Sequence, residues 1–448
     1  MSGQAAYRRR RPSRYWVAAL IGGAVLLGLV VSSVASLAVG PVPLRATLFG
    51  LPAIGFVVAA TVYFLRALQD REGAVRGRDV TRAAVLLLAG LFLWLAVLDA
   101  YTFTEQAGPV VAAVCALACV PTTAFGLFVL RRLDRNEKEP WRLVLVATLW
   151  GAIVSTSLVV WVEALWDLVF TAQLVPGPAA NTSTAYSAGI FEELSKGAAV
   201  LLLYLLMREE FDDVVDGIVY GAAVGFGFNF MESIGYMTHL YAILAPEGGG
   251  VQAAAGQWYF RQLVGLFFGH ATYTALIGAG IGIARQLPRL RQQVLVIACG
   301  FAAAIAAHFA WDAWQAFVLI GASSTQLLLA HLRYVFMAGP FTAVLLLLLA
   351  MGLQMEGTAL ARQLRLEAAT GLGAVLPGEV PVLMSPGHRF RARLAALTSH
   401  GPGAYLRLSR LQTAQMNLAM ERWHRERDEI DEPQAAEDAL RRQVLTLR

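Results

Sequence analysis

The chain has 448 residues, 57% of them hydrophobic and 15% charged, with a mean hydropathy of +0.57. A chain this long and this apolar is excluded as one soluble domain and reads as a polytopic membrane protein. Its formal net charge of +5 sits in loops beside apolar segments, which points to topology and contact with anionic membrane lipids and not to nucleic acid.

Ten apolar runs long enough to cross a bilayer fall at roughly 15–39, 43–66, 83–103, 109–130, 143–170, 185–207, 214–236, 259–284, 292–320 and 334–353. The expected fold is therefore all-α: a polytopic transmembrane helix bundle of about ten spans, followed by a cytoplasmic, partly helical C-terminal tail. Four regions follow, a basic N-terminus over 1–14, N-terminal spans over 15–130, a core over 131–353 and the tail over 354–448.

Arginines and lysines cluster before span one (Arg8 to Arg11, Arg14), between spans two and three (Arg71, Arg76, Arg78, Arg82), between four and five (Arg131, Arg132, Arg135, Lys138, Arg142) and between eight and nine (Arg285, Arg289, Arg291). The alternate stretches 104–108, 171–184 and 237–258 contain neither residue and read as outer loops. The positive-inside rule then predicts a multi-pass protein of the cell membrane with both termini cytoplasmic. Arg45, Arg261 and Arg333, at the opposite ends of their spans, are exceptions.

Spans one to four hold almost no central charge and read as scaffold. Cys115, Cys119 and Cys299 read as small core residues, with no disulfide framework. Span five adds Glu163 and Asp167 near its outer end, read as solvated or as contacts at the rim of a site. The next four spans carry Glu192, Glu193 and Lys196; Glu232; His270; and His308 with Asp312. A charge near the bilayer midplane costs about 2.5–3.5 kcal/mol on insertion scales, so several on neighbouring helices are expected to meet. Measured from the outer end of each span at about 1.5 Å per residue, Glu232 lies roughly 6 Å deep, Glu192 roughly 10 Å, and both histidines roughly 16–18 Å. One site, reached from the extracytoplasmic side, accounts for that agreement.

Glu192 and Lys196 share a helix face by their i, i+4 spacing, while Glu193 points about 100° away and needs a partner on another helix. An intrahelical Glu192–Lys196 pair alone would leave Glu193 unexplained. Gly217, Gly221 and Gly225 form a ladder that allows close helix approach and carries Glu232 inward. His308 and Asp312 repeat the i, i+4 spacing, so the carboxylate can orient the imidazole.

Carboxylates with imidazoles are the parts of a water-activating hydrolytic site, and two mechanisms fit. Glu232, His270 and His308 could hold one divalent metal, zinc by donor type, with Glu192 as general base. Alternatively, Glu192 with a histidine activates water without metal. There is no HExxH motif to decide between them. A proton-coupled transporter or channel using the same carboxylates as a relay is the competing reading.

The core resembles the PrsW-type intramembrane proteases, of the CAAX-prenyl-protease and bacteriocin-processing superfamily. Asp134-Arg-Asn-Glu-Lys-Glu-Pro140, Glu192-Glu193-Leu-Ser-Lys196, Asp216-Gly-Ile-Val-Tyr-Gly221 with Phe228-x-x-x-Glu232, His270 and His308-x-x-x-Asp312 carry the resemblance over roughly 130–340. It implies cleavage of a single-span, membrane-anchored protein substrate, in known cases an anti-sigma factor, on the extracytoplasmic side. It also implies that Glu192, Glu193, Glu232, His270 and His308 form the site. The tail reads as helix over Leu360 to Ala368 and Ala404 to Glu429 with a Gly/Pro linker between, either solvated or docked on the membrane through Arg389, Arg391, Arg393, Arg407 and Arg410.

Overall fold

A computed structural model describes residue 48 and residues 51–69, 76–136, 138–170, 178–207, 211–315, 324–426 and 433–448. The basic N-terminus and the first expected span lie outside the described residues. Among the described residues every regular element is helical. In chain order they are α1 (Leu51–Gln69), α2 (Arg76–Ala107), α3 (Pro109–Leu133), α4 (Trp141–Val169), α5 (Pro178–Leu206), α6 (Val214–Leu244), α7 (beginning Gly250–Trp258 and ending Gly265–Phe268), α8 (His270–Gln286), α9 (Leu290–Gln315), α10 (Ser324–Ala369), α11 (Val380–Met384), α12 (Pro386–Glu426) and α13 (Pro433–Leu447). Eight stretches of helix among the described residues are long and apolar enough to cross a membrane. Helix α5 is 29 residues long and carries Glu192, Glu193 and Lys196 in its second half.

Several helices overrun their expected ends, two of them markedly. Residues 237–258 were expected as a loop, yet α6 continues to Leu244 and α7 begins at Gly250, joined by a single 3-10 turn, Ala245–Glu247. Hydropathy falls at a span's end while the backbone, which must satisfy its own hydrogen bonds, stays helical. Helix α10 likewise runs past the expected end of span ten to Ala369.

The described chain forms two compact units, one of the described residues in 12–130 and 140–346, the other of 131–139 and 347–448. In the membrane-type unit α6 is the centre, and residues 214–229 are all buried. Its glycines explain why. A Cβ on Gly217, Gly221 or Gly225 would overlap the backbone of Gly278, Thr274 or His270 on α8, and one on Gly227 would overlap Thr148 on α4. Gly278 and Gly151 answer from the other side, against Gly217 and Val224. Without side chains between them, the backbones pack closely.

Two π-helical turns interrupt this core, Trp150–Ser155 in α4 and Tyr259–Val264 in α7. Such turns insert a residue into the helical repeat and redirect the side chains around them. The second carries Arg261. Helix α7 then breaks at Gly269, with φ −95° and ψ −129°, so that His270 opens α8.

The tail unit is folded more fully than a helix, a linker and a helix. Leu360, Leu364, Val375, Leu383, Met416 and Met420 make one buried cluster, and Ala374, Ala414, Leu418 and Val444 another. Buried Glu367 and Glu437 are both bridged by Arg422, at 2.7 and 2.5 Å, and by Arg441, at 2.7 and 3.0 Å. Arg425 also pairs with Glu437, and Asp438 with Arg441 at 2.8 Å, so among the described residues three arginines meet three acids in this network. Arg389, expected on a surface, is buried, and donates to the Leu383 and Arg135 carbonyls.

Candidate active site

The polar residues of α5, α6, α8 and α9 converge. At their centre is Lys196, with no exposed surface. Its Nζ lies 2.6 Å from Glu193 Oε1, 3.1 Å from Glu192 Oε2 and 3.0 Å from His270 Nδ1. The Phe228 ring covers it at 4.1 Å. An ammonium only donates, so His270 Nδ1 accepts and Nε2 carries the ring proton. That proton points to Glu232 Oε2, 2.6 Å away.

Glu193 is enclosed. Besides Lys196, its carboxylate meets His308 Nδ1 at 2.9 Å and accepts from Thr274 Oγ1 at 3.4 Å. This is the cross-helix partner that its position on α5 demands. The i, i+3 contact to Lys196 is shorter than the i, i+4 contact of Glu192, so both glutamates reach the lysine although they leave the helix in different directions. His308 Nε2 in turn lies 3.2 Å from Asp312 Oδ2 and 3.6 Å from Glu192 Oε2. Tyr273 stacks on the His308 ring, centroids 5.3 Å apart, and its buried hydroxyl has no hydrogen-bond partner among the described residues.

Glu192 differs from Glu193. Its contacts, to Lys196, His270 and His308 at 3.1, 3.7 and 3.6 Å, all run through Oε2. Its other oxygen takes no part in them.

Glu192, Glu193, His270 and His308 offer ligand atoms that lie within 4.8 Å of one another, all four residues being buried. Glu232 stands outside this group. The triplet Glu232, His270 and His308, expected as metal ligands, is not the set drawn together here, because Glu232 Oε2 is held by Arg261 Nη1 at 2.6 Å as well as by His270. Two carboxylates and two imidazoles suit a divalent cation such as zinc. Formal charge agrees: Glu192, Glu193, Glu232 and Asp312 exceed Lys196 and Arg261 by two negative charges when both histidines are neutral. Because Lys196 bonds three of the four donors, a metal requires that ammonium to release at least one of them.

Sequence reasoning passed over Arg261 and Tyr273 and left Glu163 between a solvated residue and a rim contact. Arg261 registered only as an exception to the charge rule, although an arginine at an outer helix end, within reach of an intramembrane glutamate, was a signal for an ion pair. Glu163 lies within electrostatic reach of Glu192, Glu232 and Asp312, and its buried Oε1 has no hydrogen-bond partner among the described residues. Tyr273 carried no signal beyond its place one helical turn after His270.

Two of the motifs hold the backbone locally, one as a helix cap and one as a turn. Asp213 accepts from the Val215 and Asp216 amides at 2.7 and 3.4 Å, and Asp216 accepts from Asp212 and Asp213 at 2.6 and 3.0 Å. This capping box starts α6 and sets the register that delivers Glu232. Asp134, also buried, accepts from the Glu139 amide at 2.8 Å and so closes the turn before Pro140.

Residues 139–360 match a family model described as "PrsW family intramembrane metalloprotease". Over 146 residues the chain is 30% identical to a protein named "Protease PrsW" from Geobacillus kaustophilus, an alignment covering 31% of this chain and 59% of that relative's length. No solved structure matches.

Proposed function

We propose, from its buried carboxylate–imidazole cluster and from the family model that residues 139–360 match, that the chain is a PrsW-type intramembrane endopeptidase. The observation that carries this reading is the Glu192 carboxylate, buried beside two histidines and a lysine with one oxygen outside those contacts. In that reading Glu192 is the general base. Its uncommitted oxygen takes a proton from the attacking water, a role worth about 10²–10⁴ in rate. Glu193 is the positioning residue, holding Lys196 and His308 where they face Glu192. His308, oriented by Asp312, receives and returns the proton, and Glu232 with Arg261 fixes the His270 tautomer.

In an alternative, metal-assisted mechanism a divalent metal, held by Glu192, Glu193, His270 and His308 in place of the expected Glu232 triplet, would supply polarisation of the scissile carbonyl, with His308 then a ligand and not the proton carrier. The substrate proposed is a single-span membrane protein cut near the extracytoplasmic side, of which an anti-sigma factor is the type implied by the resemblance. The distribution of arginine supports a topology with both termini in the cytoplasm. Reconstitution into liposomes with a candidate substrate and intact-mass measurement of products tests the reading. A discrete pair of fragments, absent with Glu192→Gln, is the expected result. Ion flux across the liposome membrane with no fragment would instead favour the relay reading.

A further inference from the structure

The tail unit contains a cavity of about 820 Å³ that the proteolytic reading does not use. Arg132, Arg135, Lys138, Arg389 and Arg393 line it, against Asp134 and Glu421. Asp134 is already engaged in the turn that ends at Glu139. Among the described residues, no carboxylate comes within ion-pair distance of Arg135, Lys138, Arg389 or Arg393. What they do bond is neutral: Arg389 donates to two backbone carbonyls and Arg393 to Gln412 Oε1 at 2.6 Å.

Gathering five cations against two carboxylates is costly. Burial, together with the neighbouring Arg131, Arg132 and Arg393 and against the opposing pull of Asp134, holds the Lys138 ammonium below its ordinary pKa, and burial with Arg393 and Arg135 does the same to Arg389. A bound polyanion would reverse that repulsion. The Arg389 fork is fixed by its own hydrogen bonds, and a fixed guanidinium suits phosphate oxygens better than a mobile ammonium does. The volume falls within the range of about 300–1,000 Å³ typical of small-molecule sites and is far more than one inorganic ion fills. Phe390, Met416 and Met420 add an apolar wall beside the cations.

We propose that this cavity binds a soluble nucleoside polyphosphate, its phosphates on Arg135, Lys138, Arg389 and Arg393 and its ring against Phe390 and Met416. The charge rule places residues 131–142 in the cytoplasm, where such ligands are found. The other source of clustered phosphate chemistry is an anionic lipid headgroup.

The experiment is equilibrium binding of ATP, GTP and tripolyphosphate to the full chain in neutral detergent, with phosphatidylglycerol vesicles as a separate arm. ATP or GTP is expected to saturate one site with Kd on the order of micromolar, more tightly than tripolyphosphate and more weakly at higher salt. Arg135→Ala with Lys138→Ala should weaken binding about tenfold or more, since each removes one phosphate partner. The substitutions leave the Arg135 carbonyl that Arg389 uses, and an unchanged melting temperature confirms an intact unit. No saturable nucleotide binding below about 1 mM, equal affinity in the double variant, or binding of phosphatidylglycerol vesicles alone would each overturn the proposal. Because the readout is binding, either outcome leaves the proteolytic reading untouched.

Discussion

Lys196→Met is the sharpest probe of how the site is held together. Methionine keeps the length and loses the charge, leaving Glu192 and Glu193 buried without the ammonium that now sits 3.1 and 2.6 Å from them. If these contacts were ordinary polar contacts within a membrane bundle, each would be worth about 0.6 kcal/mol. Removing one partner of a buried charge pair instead costs about 3–5 kcal/mol, because the remaining charge is stranded. The two cases differ several-fold, well beyond the error of an unfolding titration in mixed micelles. We expect Lys196→Met to lose about 3–5 kcal/mol, and Glu193→Gln in the same chain to recover at least about 1 kcal/mol of it through coupling between touching residues. A loss under about 1 kcal/mol, or strict additivity of the two changes, would refute the view that Lys196 neutralises this cluster.

The close approach of α6 and α8 gives a second expectation. Gly225→Ala puts a Cβ into the His270 carbonyl and should cost about 1–3 kcal/mol by overpacking, read in the same titration, whereas Gly55→Ala, with nothing within 4 Å, should cost less than about 0.5 kcal/mol. Arg261→Gln strands Glu232 and should lower proteolysis at least about tenfold, with Arg261→Lys recovering part of it; equal rates in all three would remove the pair from the site. In the tail, Glu367→Gln leaves Arg422 with Glu437 and Arg441 with Glu437 and Asp438 and should destabilise by about 3 kcal/mol; an unchanged melting temperature would contradict the network. If a metal is bound, purified protein should hold about one divalent ion per chain, lost in His270→Ala and His308→Ala but kept in Glu232→Gln, as read by elemental analysis. Loss in Glu232→Gln would restore the ligand set expected from sequence.

Much of the helical bundle is legible in the sequence because hydropathy and charge act over whole spans. The site is legible for a different reason: Glu192, Glu193, Lys196, His270 and His308 are costly where they lie, and the cost is met only if they meet. What the pattern could not supply was pairing between helices. Glu193 needed a partner, but that the partner would be His308 depends on how α5 and α9 are rotated. Nor could the pattern foresee the ion pair that engages Glu232, since the π-turn that brings Arg261 onto it has no signature in hydropathy. Asp134 and Asp216 sat in motifs that carried the resemblance, and their hydrogen bonds are local: Asp216 completes the capping box of α6 and Asp134 closes the turn before Pro140. The tail was read too loosely, because its core is small, and the buried Glu367 and Arg422 look in sequence like ordinary surface charges.

Glu192→Gln in liposomes bears most directly on the central claim, that the buried cluster activates water. The substitution preserves shape and helix packing and removes the basic oxygen, so proteolysis of a single-span substrate, followed by intact mass, should fall by about 10² or more while the chain inserts and melts as before. A Glu192→Gln chain that releases the same fragments at the wild-type rate would contradict the account.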